Sequence, residues 1–391
     1  MMSSRLLIML VAWATVVFVV SCGDHDNKDV TYRLCVDVVY PTGFTPDDVE
    51  AATLTITNEI GATMQEAWTA DKPIELVAGT YTVKVKAKVK GENYGFLVGE
   101  AMVVLDADKS VCITLAKVQE SPLVFKRLYV NGGYEFYMRD SYFEIVNNSD
   151  EVQYLDGVII TAPMNNKSPN GWQTSDDFKD YYACGLGCVV MFSGNGNDYP
   201  LKPGESVVVA NDAANHTELG KENGGDAVSP DLSTADWEIY LDYAQDVDYA
   251  APNLHVIFHN NDQMFAFGLG VAGRGYVLAR LPQELSVEDF IRADGDYVMT
   301  EPNRGNPLVS YLCVRSSWVL DAVETRAFDA DDEGYRPLFL ANDDMDGIKG
   351  NAPYLGNAIQ RKVARTVGHR VYYQDTNNSA NDFIVGVDAA L

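Results

Sequence analysis

Strict alternation of apolar and polar residues is the clearest pattern in the chain. From Tyr81 to Lys90 every second residue is apolar, and the residues between are threonine or lysine. A period of two places successive side chains on opposite faces of an extended strand, so this segment is predicted to be a half-buried β-strand. Similar runs recur at Leu34–Val38, Thr53–Thr57 and Val111–Leu115, separated by turn residues. Residues 30–118 are therefore predicted to form a small antiparallel β-sandwich.

A polar break that ends in proline, residues 119–122, is predicted to be a linker between two domains. Residues 123–391 are predicted to form a larger β-domain with a loop-rich C-terminal extension, so the fold class is all-β. Its predicted strands are Phe125–Tyr129, Tyr142–Val146, Gly157–Thr161, Val189–Phe192, Ser206–Asn211, Leu254–Phe258, Met264–Leu269 and Gly275–Leu281. One helix is expected at Val287–Ile291, because Ser286 can cap its first turn. Residues 295–350 are rich in Asp, Gly and Asn and are predicted to be mostly loops.

The N-terminus carries an apolar run, Leu6–Val20, that follows Arg5. This run is shorter than the roughly 20 residues of a membrane-spanning helix, so residues 1–21 are predicted to be a secretory signal rather than an uncleaved anchor. The sequence that ends at Cys22 resembles a bacterial lipobox. The resemblance implies cleavage before Cys22 and acylation of Cys22, so the membrane is a predicted partner through a lipid anchor.

The residues after Cys22 are acidic and polar, and residues 22–29 are predicted to be a tether. This stretch resembles the export tag of surface lipoproteins in Bacteroidota-type bacteria. The resemblance implies an outer-membrane protein at the cell surface, and a plain solvated tether facing the periplasm is the alternative. The formal net charge of −27 argues against nucleic acid as a partner, because binding it requires a basic surface.

Four short motifs carry a further resemblance. They lie at Asp140–Asp150, Tyr154–Gly157, Tyr199–Glu205 and Tyr373–Phe383. The first three are similar to lamin-tail-like domains, and the last resembles a motif of uncharacterised Bacteroidota lipoproteins that join a small N-terminal sandwich to such a domain. The resemblance implies an immunoglobulin-like sandwich in an exported, non-catalytic interaction module. It supplies no catalytic residues.

The cysteines allow two candidate disulfides. Besides Cys22 the chain has an odd number of cysteines, so at least one thiol is unpaired within the chain. Cys35 and Cys112 point away from the core of the first domain and either form a bridge or remain two independent thiols. Cys184 and Cys188 are separated by three residues, two of them glycine, and a local disulfide is predicted there.

Two acidic segments have the spacing of the first half of a calcium-binding loop. Oxygen-bearing side chains occupy alternate positions at Asp329, Asp331 and Glu333, and again at Asn342, Asp344 and Asp346, and a glycine follows each set. The closing glutamate of such a loop is missing in both. Calcium is therefore a candidate cofactor, and acidic surface loops are the alternative interpretation.

His255 and His259 are interpreted as half-buried residues of a strand rather than metal ligands, because four strand residues span about 13 Å. Four aromatic side chains are candidates for ligand binding, since rings in polar loops can stack on sugars or aromatic cofactors: Trp172, Tyr181, Tyr182 and Trp237. The alternative is that they cover the core.

No catalytic residue is predicted. The sequence contains no Gly-x-Ser-x-Gly elbow, no glycine-rich phosphate loop and no dinucleotide fingerprint. The function predicted from location and from these signatures is that of a binding or accessory module. Its predicted partner is an outer-membrane transporter or a surface glycan. The alternatives are a hydrolase of glycans or peptides that uses carboxylates or a metal, and a structural surface or stalk component.

Overall fold

A computed structural model describes residues 30–90, 95–119, 121–130, 132, 139–163, 180–222, 228–242, 246–259, 267, 273–300, 310–331, 335, 337–340 and 342–391. The chain divides into two compact units, residues 1–117 and 118–391. Both units are built almost entirely of β-strands, which confirms the predicted all-β class. The described part of the chain contains no helix with the length and apolar character needed to cross a membrane.

The first unit contains two sheets. Its strands are β1 (Thr31–Val39), β2 (Val49–Asn58), β3 (Thr63–Ala67), β4 (Ile74–Val77), β5 (Gly79–Val89), β6 (Gly95–Leu105) and β7 (Lys109–Thr114), and β8 (Ala116–Gln119) crosses the division between the units. One sheet has the order β4-β1-β7 and the other β3-β2-β5-β6-β8. The prediction of a purely antiparallel sandwich is wrong for β1 and β7, which pair in parallel. These strands are far apart in the sequence, so no hairpin turn forces them to be antiparallel.

The core of the first unit follows the alternation in the sequence. Val83, Val85 and Ala87 of β5 are buried, whereas Lys84 and Lys86 between them are partly exposed. The hydrophobic effect thus assigns one face of the strand to the interior, because burying each such side chain contributes roughly 1.5–3 kcal/mol.

The second unit is larger. Its strands are β9 (Leu123–Tyr129), β10 (Tyr142–Asn147), β11 (Gln153–Tyr154), β12 (Val158–Pro163), β13 (Tyr181–Met191), β14 (Pro200–Leu201), β15 (Ser206–Ala210), β16 (Trp237–Glu238), β17 (His255–His259), β18 (Gly273–Arg280), β19 (Val298–Thr300), β20 (Ser310–Arg315), β21 (Val319–Arg326), β22 (Ile348–Lys349), β23 (Asn357–Arg361), β24 (Val363–Val367), β25 (Arg370–Tyr373) and β26 (Phe383–Asp388). Its helices are α1 (His216–Glu222), α2 (Val287–Phe290) and α3 (Ser379–Asp382).

Two large sheets of this unit enclose its core. A six-stranded sheet has the order β16-β15-β10-β9-β23-β26, and an eight-stranded sheet has the order β19-β20-β13-β12-β18-β21-β22, with β17 paired to β13. Phe143 of β10 lies edge-on to Tyr276 of β18, with ring centroids 5.2 Å apart. Contacts of this kind between strands of the two sheets make the unit a sandwich.

One predicted element is confirmed and one prediction is wrong. Helix α2 begins where expected, because the Ser286 hydroxyl accepts a hydrogen bond from the Asp289 backbone N–H at 3.1 Å. The region predicted to be mostly loops contains the buried strands β20 and β21. Asp321 and Glu324 gave β21 the composition of a loop, yet both side chains are buried and accept hydrogen bonds. The strand predicted at Met264–Leu269 lies outside the described residues except for Phe267.

A buried ion cluster joins distant parts of the second unit. The Arg361 guanidinium on β23 donates a hydrogen bond to Asp321 at 2.5 Å and lies 3.5 Å from Asp375 and 3.7 Å from Asp382. Its Nε donates to the backbone carbonyl of Phe125 on β9 at 2.8 Å. We call these four charged side chains the Arg361 cluster. They connect strands of both large sheets with the segment around α3.

Candidate functional site

The aromatic residues predicted to bind a ligand do not form one site. Trp172 lies outside the described residues. Tyr182 is buried, its hydroxyl donates to Asp343 at 2.5 Å, and it accepts from the Leu340 backbone N–H at 3.0 Å. A ligand role for Tyr182 is therefore wrong, because both hydrogen-bonding directions of its hydroxyl serve the fold. Trp237 is half-buried and packs edge-on against the rings of Phe192 and Tyr199.

Tyr181 has a different environment from its neighbour. It begins β13 directly opposite Arg315, the last residue of β20. The guanidinium carbon of Arg315 lies 5.0 Å from the ring centroid of Tyr181 and 5.9 Å from that of Tyr297. Arg315 is exposed and both tyrosines are partly exposed. Such distances are those of cation–π contacts, which hold the guanidinium over the rings.

A third ring completes this arrangement. Trp318 follows Arg315 in a short turn of 3₁₀-helix, and its ring centroid lies 5.2 Å from that of Tyr297. Phe290 of α2 is fully buried and contacts both rings edge-on, at 5.5 Å and 5.6 Å. We call Tyr181, Tyr297, Arg315 and Trp318 the aromatic–arginine surface. Phe290 supports it from the core side, so the rings have little freedom to rotate.

The electrostatics of this surface keep Tyr181 neutral. Burial raises the pKa of Tyr181 above its ordinary value, and the nearby Arg315 opposes that shift only in part. The phenol is therefore protonated at neutral pH and can donate a hydrogen bond. Within the residues that the structure describes, the Arg315 side chain makes no hydrogen bond and no ion pair. The surface thus combines partly exposed ring faces with an accessible cation.

The sequence pointed to only one residue of this surface. Tyr297, Arg315 and Trp318 fall in the region predicted to be loops, where nothing distinguishes them from other surface residues. They meet Tyr181 because β13 pairs with β20, a register between segments more than a hundred residues apart. An isolated tryptophan close to an arginine was the available signal, and it is a weak one.

The calcium prediction is wrong for the second acidic loop. Asp344 is buried, and its carboxylate accepts hydrogen bonds from the backbone N–H groups of Glu324 and Ser379, both at 2.8 Å. The Ser379 hydroxyl donates to it at 2.6 Å. Its oxygens are therefore occupied by protein donors. Among the described residues no three His, Cys, Asp or Glu side chains converge in a way that could hold a metal. Asp346 therefore belongs to no such group of described residues.

The first acidic loop is only partly described. Asp329 and Asp331 are exposed, and Glu333 lies outside the described residues. Calcium binding there stays a prediction. The two histidines occupy the ends of β17, so the predicted strand is confirmed. Both are exposed rather than half-buried as expected.

The cysteines from Cys35 onward are free thiols in the structure. On β1 and β7, Cys35 lies opposite Ser110, and Cys112 lies opposite Asp37, so the two thiols are offset by two residues in register. Cys184 and Cys188 lie in one continuous strand, β13, where four residues span about 13 Å. The predicted local disulfide is therefore wrong, since a bridge requires Cα atoms closer than about 7 Å. Burial raises the pKa of Cys184 to about 12.

Several carboxylates near the end of β15 have raised pKa values. Burial raises the pKa of Asp212 to about 7, and Arg139, whose Nη1 lies 3.5 Å from it, offsets this only in part. Burial also raises the pKa of Glu238, which accepts from the backbone N–H groups of Ala213 and Tyr249. Asp246 is bonded to backbone N–H groups in the same manner. Their hydrogen bonds anchor loops, as in a structural polar core.

The buried carboxylates predict an unusual pH dependence of stability. The pKa of Asp212 and that of Asp344 are each about 7 in the folded chain, above the ordinary value of 3.8. Between these values the folded state binds more protons than the unfolded state, so the free energy of unfolding rises as the pH falls through 7. We expect the melting temperature to increase from about pH 8 to about pH 5, as measured by circular dichroism.

Asp212→Asn is the matched variant for this experiment, because it removes one titrating group and should make the profile flatter. Carboxylates with lowered pKa values, such as Asp156, stop contributing to the free energy of unfolding only at still lower pH. A melting temperature that decreases steadily from pH 8 to pH 5 would contradict the expectation.

Comparisons with known proteins give one family and one solved structure. Residues 202–390 match the model of a family described as "Protein of unknown function (DUF4876)". The chain is similar to the crystal structure of a DUF4876 family protein from Bacteroides thetaiotaomicron VPI-5482, with 24% identity and a TM-score of 0.65. The similarity covers 92% of this chain and 95% of that one, and at this identity it shows the fold alone. No curated protein matches the chain.

Proposed function

We propose that this chain, in which residues 202–390 match the DUF4876 family, is a lipid-anchored surface lipoprotein that binds glycans without chemical turnover. The signal at residues 1–21 and Cys22 support the anchor, and the acidic tether supports an outer-membrane, surface-exposed location. The second unit is proposed to be a lamin-tail-like sandwich. An outer-membrane transporter is the partner that this location predicts. The observation that carries the proposal is the aromatic–arginine surface.

The physical argument for glycan binding rests on the exposed ring faces. A sugar presents apolar C–H groups on the faces of its ring, and these stack on aromatic side chains. Tyr181, Tyr297 and Trp318 are partly exposed. Tyr297 and Trp318 are held in place by contacts with Phe290 and with each other, and Tyr181 stacks with Arg315. A rigid aromatic surface loses little side-chain entropy when a ligand binds, which favours affinity.

The carboxylates favour binding over hydrolysis. An acid–base pair must reach the substrate. Among the carboxylates with raised pKa, Glu238, Asp246 and Asp344 accept hydrogen bonds from backbone N–H groups within the fold, and Asp212 is paired with Arg139. Raised pKa values arise in structural networks as well as in active sites, so the shifts alone do not indicate catalysis.

Trp318→Ala is expected to weaken glycan binding by at least about tenfold, because truncation of a central aromatic anchor commonly costs 2 kcal/mol or more. Binding of the whole mature chain would be measured on a glycan array and then by calorimetry with the best ligand. Trp318→Phe keeps an aromatic ring against Phe290 and should retain part of the affinity.

Tyr154→Ala serves as the matched control, because Tyr154 is also a partly exposed aromatic residue but belongs to β11. Melting curves of all variants separate a loss of binding from a loss of folding. If no glycan binds, or if Tyr154→Ala lowers affinity as much as Trp318→Ala, the proposed function is wrong.

A further inference from the structure

We infer that the ligand of the aromatic–arginine surface is a carboxylated sugar, with the sugar ring on the aromatic side chains and its carboxylate on Arg315. The inference rests on the proposed function and specifies the chemical class of the glycan. It follows from the state of Arg315, from the geometry of its guanidinium and from the charge of the residues around it.

Among the described residues, the Arg315 side chain has no carboxylate partner, although the chain has many carboxylates. The sequence contains 56 acidic and 29 basic residues. Arg139, Arg292 and Arg361 each form an ion pair with aspartate. Arg315 is exposed and forms no ion pair with any residue that the structure describes, although Asp296 is close enough to affect Tyr181. Its charge is therefore available to an external anion.

The stacked guanidinium is oriented for one kind of anion. Contact with the rings of Tyr181 and Tyr297 restrains its plane. A planar guanidinium presents parallel N–H donors that match the two oxygens of a carboxylate, and restraint before binding reduces the entropy lost. A lysine ammonium at this position would provide charge without that geometry.

The neighbouring charges favour a ligand with a low charge density. Arg292 belongs to the segment that follows α2, and it is already paired with Asp289 and Asp294. Asp296 adds a negative charge near Tyr181. The surface therefore offers one accessible cation within an acidic protein. This charge suits one carboxylate per sugar and disfavours densely sulfated or phosphorylated polymers, which the surrounding acidic residues repel.

The experiment compares each acidic sugar with its uncharged methyl ester. Calorimetry with the whole mature chain would use galacturonate, glucuronate and mannuronate oligomers, and the methyl-esterified form of each as its uncharged counterpart. We expect one of the acidic oligomers to bind and its ester to bind at least about tenfold more weakly. Affinity should also fall with added salt.

The variants test the residue directly. Arg315→Met is expected to lower the affinity for the acidic oligomer by at least about tenfold and to lower the affinity for the ester by a much smaller factor, whereas Arg315→Lys recovers only part of the loss. Arg292→Met is the matched control, since it removes an exposed arginine from the same unit and should have no effect.

Four results would overturn the inference. Equal binding of acid and ester would show that the carboxylate is not recognised, and unchanged affinity in Arg315→Met would show that Arg315 does not recognise it. In both cases the proposed function would stand. If benzoate-type aromatic acids bind and no sugar does, the ligand belongs to another chemical class, and both the inference and the proposed function are refuted. Absence of binding to every glycan, acidic or neutral, would likewise refute both.

Discussion

Replacing Arg361 with methionine is expected to lower the free energy of unfolding by about 3–5 kcal/mol, because it leaves buried carboxylates without their cation. The Arg361 side chain is 1% exposed, and its aspartate partners are 2–4% exposed. Methionine fills a similar volume, so packing changes little and the loss reports mainly on charge. Urea denaturation followed by circular dichroism would measure it.

The control for this prediction is Arg292→Met. Arg292 also pairs with aspartates, but its side chain is 59% exposed. Exposed pairs contribute at most about 1 kcal/mol, so this variant should unfold close to the unmodified chain. If both substitutions had the same small effect, the Arg361 cluster would not stabilise the second unit.

The carboxylates of the Arg361 cluster are expected to affect one another's protonation. Burial raises the pKa of Asp321 to about 7 despite the adjacent guanidinium, and it raises the pKa of Asp375 as well. The cluster contains more carboxylates than cations, so a shared proton relieves their repulsion. Asp321 additionally accepts the Phe125 backbone N–H at 2.7 Å, which links the cluster to the six-stranded sheet.

Asp344→Ala is expected to destabilise the chain by about 2–4 kcal/mol. The substitution leaves the buried backbone N–H and the hydroxyl of Ser379 without this acceptor, and the Glu324 N–H keeps only the Ser379 hydroxyl oxygen, at 3.1 Å. Each unsatisfied group costs about 1–3 kcal/mol. Removal of a buried carboxylate whose pKa is raised to about 7 offsets part of this cost at alkaline pH. Thermal and urea unfolding would measure the change.

The same experiment separates structural from metal-binding roles. Asp329→Ala is the matched control, because Asp329 is an exposed residue at the first position of the other acidic loop and should change stability by less than about 0.5 kcal/mol. Adding a chelator should leave the melting temperature unchanged, because Asp344 is expected to bind no metal. A calcium-dependent rise in the melting temperature that Asp344→Ala abolishes would show that this loop binds the metal after all.

Local patterns in the sequence predicted the elements but not how they assemble. Alternation located β5 and its buried face, and the serine cap located α2, because both depend on residues within one turn or one strand. Strand β21 was missed because its acidic residues Asp321 and Glu324 are buried. Their partners are Arg361 of β23 and the residues Tyr335 and Leu338, which a local pattern cannot include.

The motifs behind the lamin-tail resemblance have structural roles. Asn147 donates to the backbone carbonyls of Glu151 and Leu201 and so fixes the turn after β10. Asp375 and Asp382 of the C-terminal motif belong to the Arg361 cluster. These motifs stabilise turns and the buried ion cluster, and the aromatic–arginine surface lies apart from them in the sequence. The candidate site was therefore harder to predict than the all-β architecture.

The hydrogen bond from Arg361 to the Phe125 carbonyl spans 236 residues, and this separation affects synthesis of the chain. At about 5–20 residues per second, strand β9 leaves the ribosome roughly 10–50 seconds before β23 exists to pair with it. The first unit does not have this long delay between partner strands, because β1 pairs with β7, which ends at residue 114. A chain that emerges N-terminus first should therefore pass through a prolonged stage in which all strands of the first unit are present while β9 has an unpaired edge, which is the period when chaperone binding would matter most.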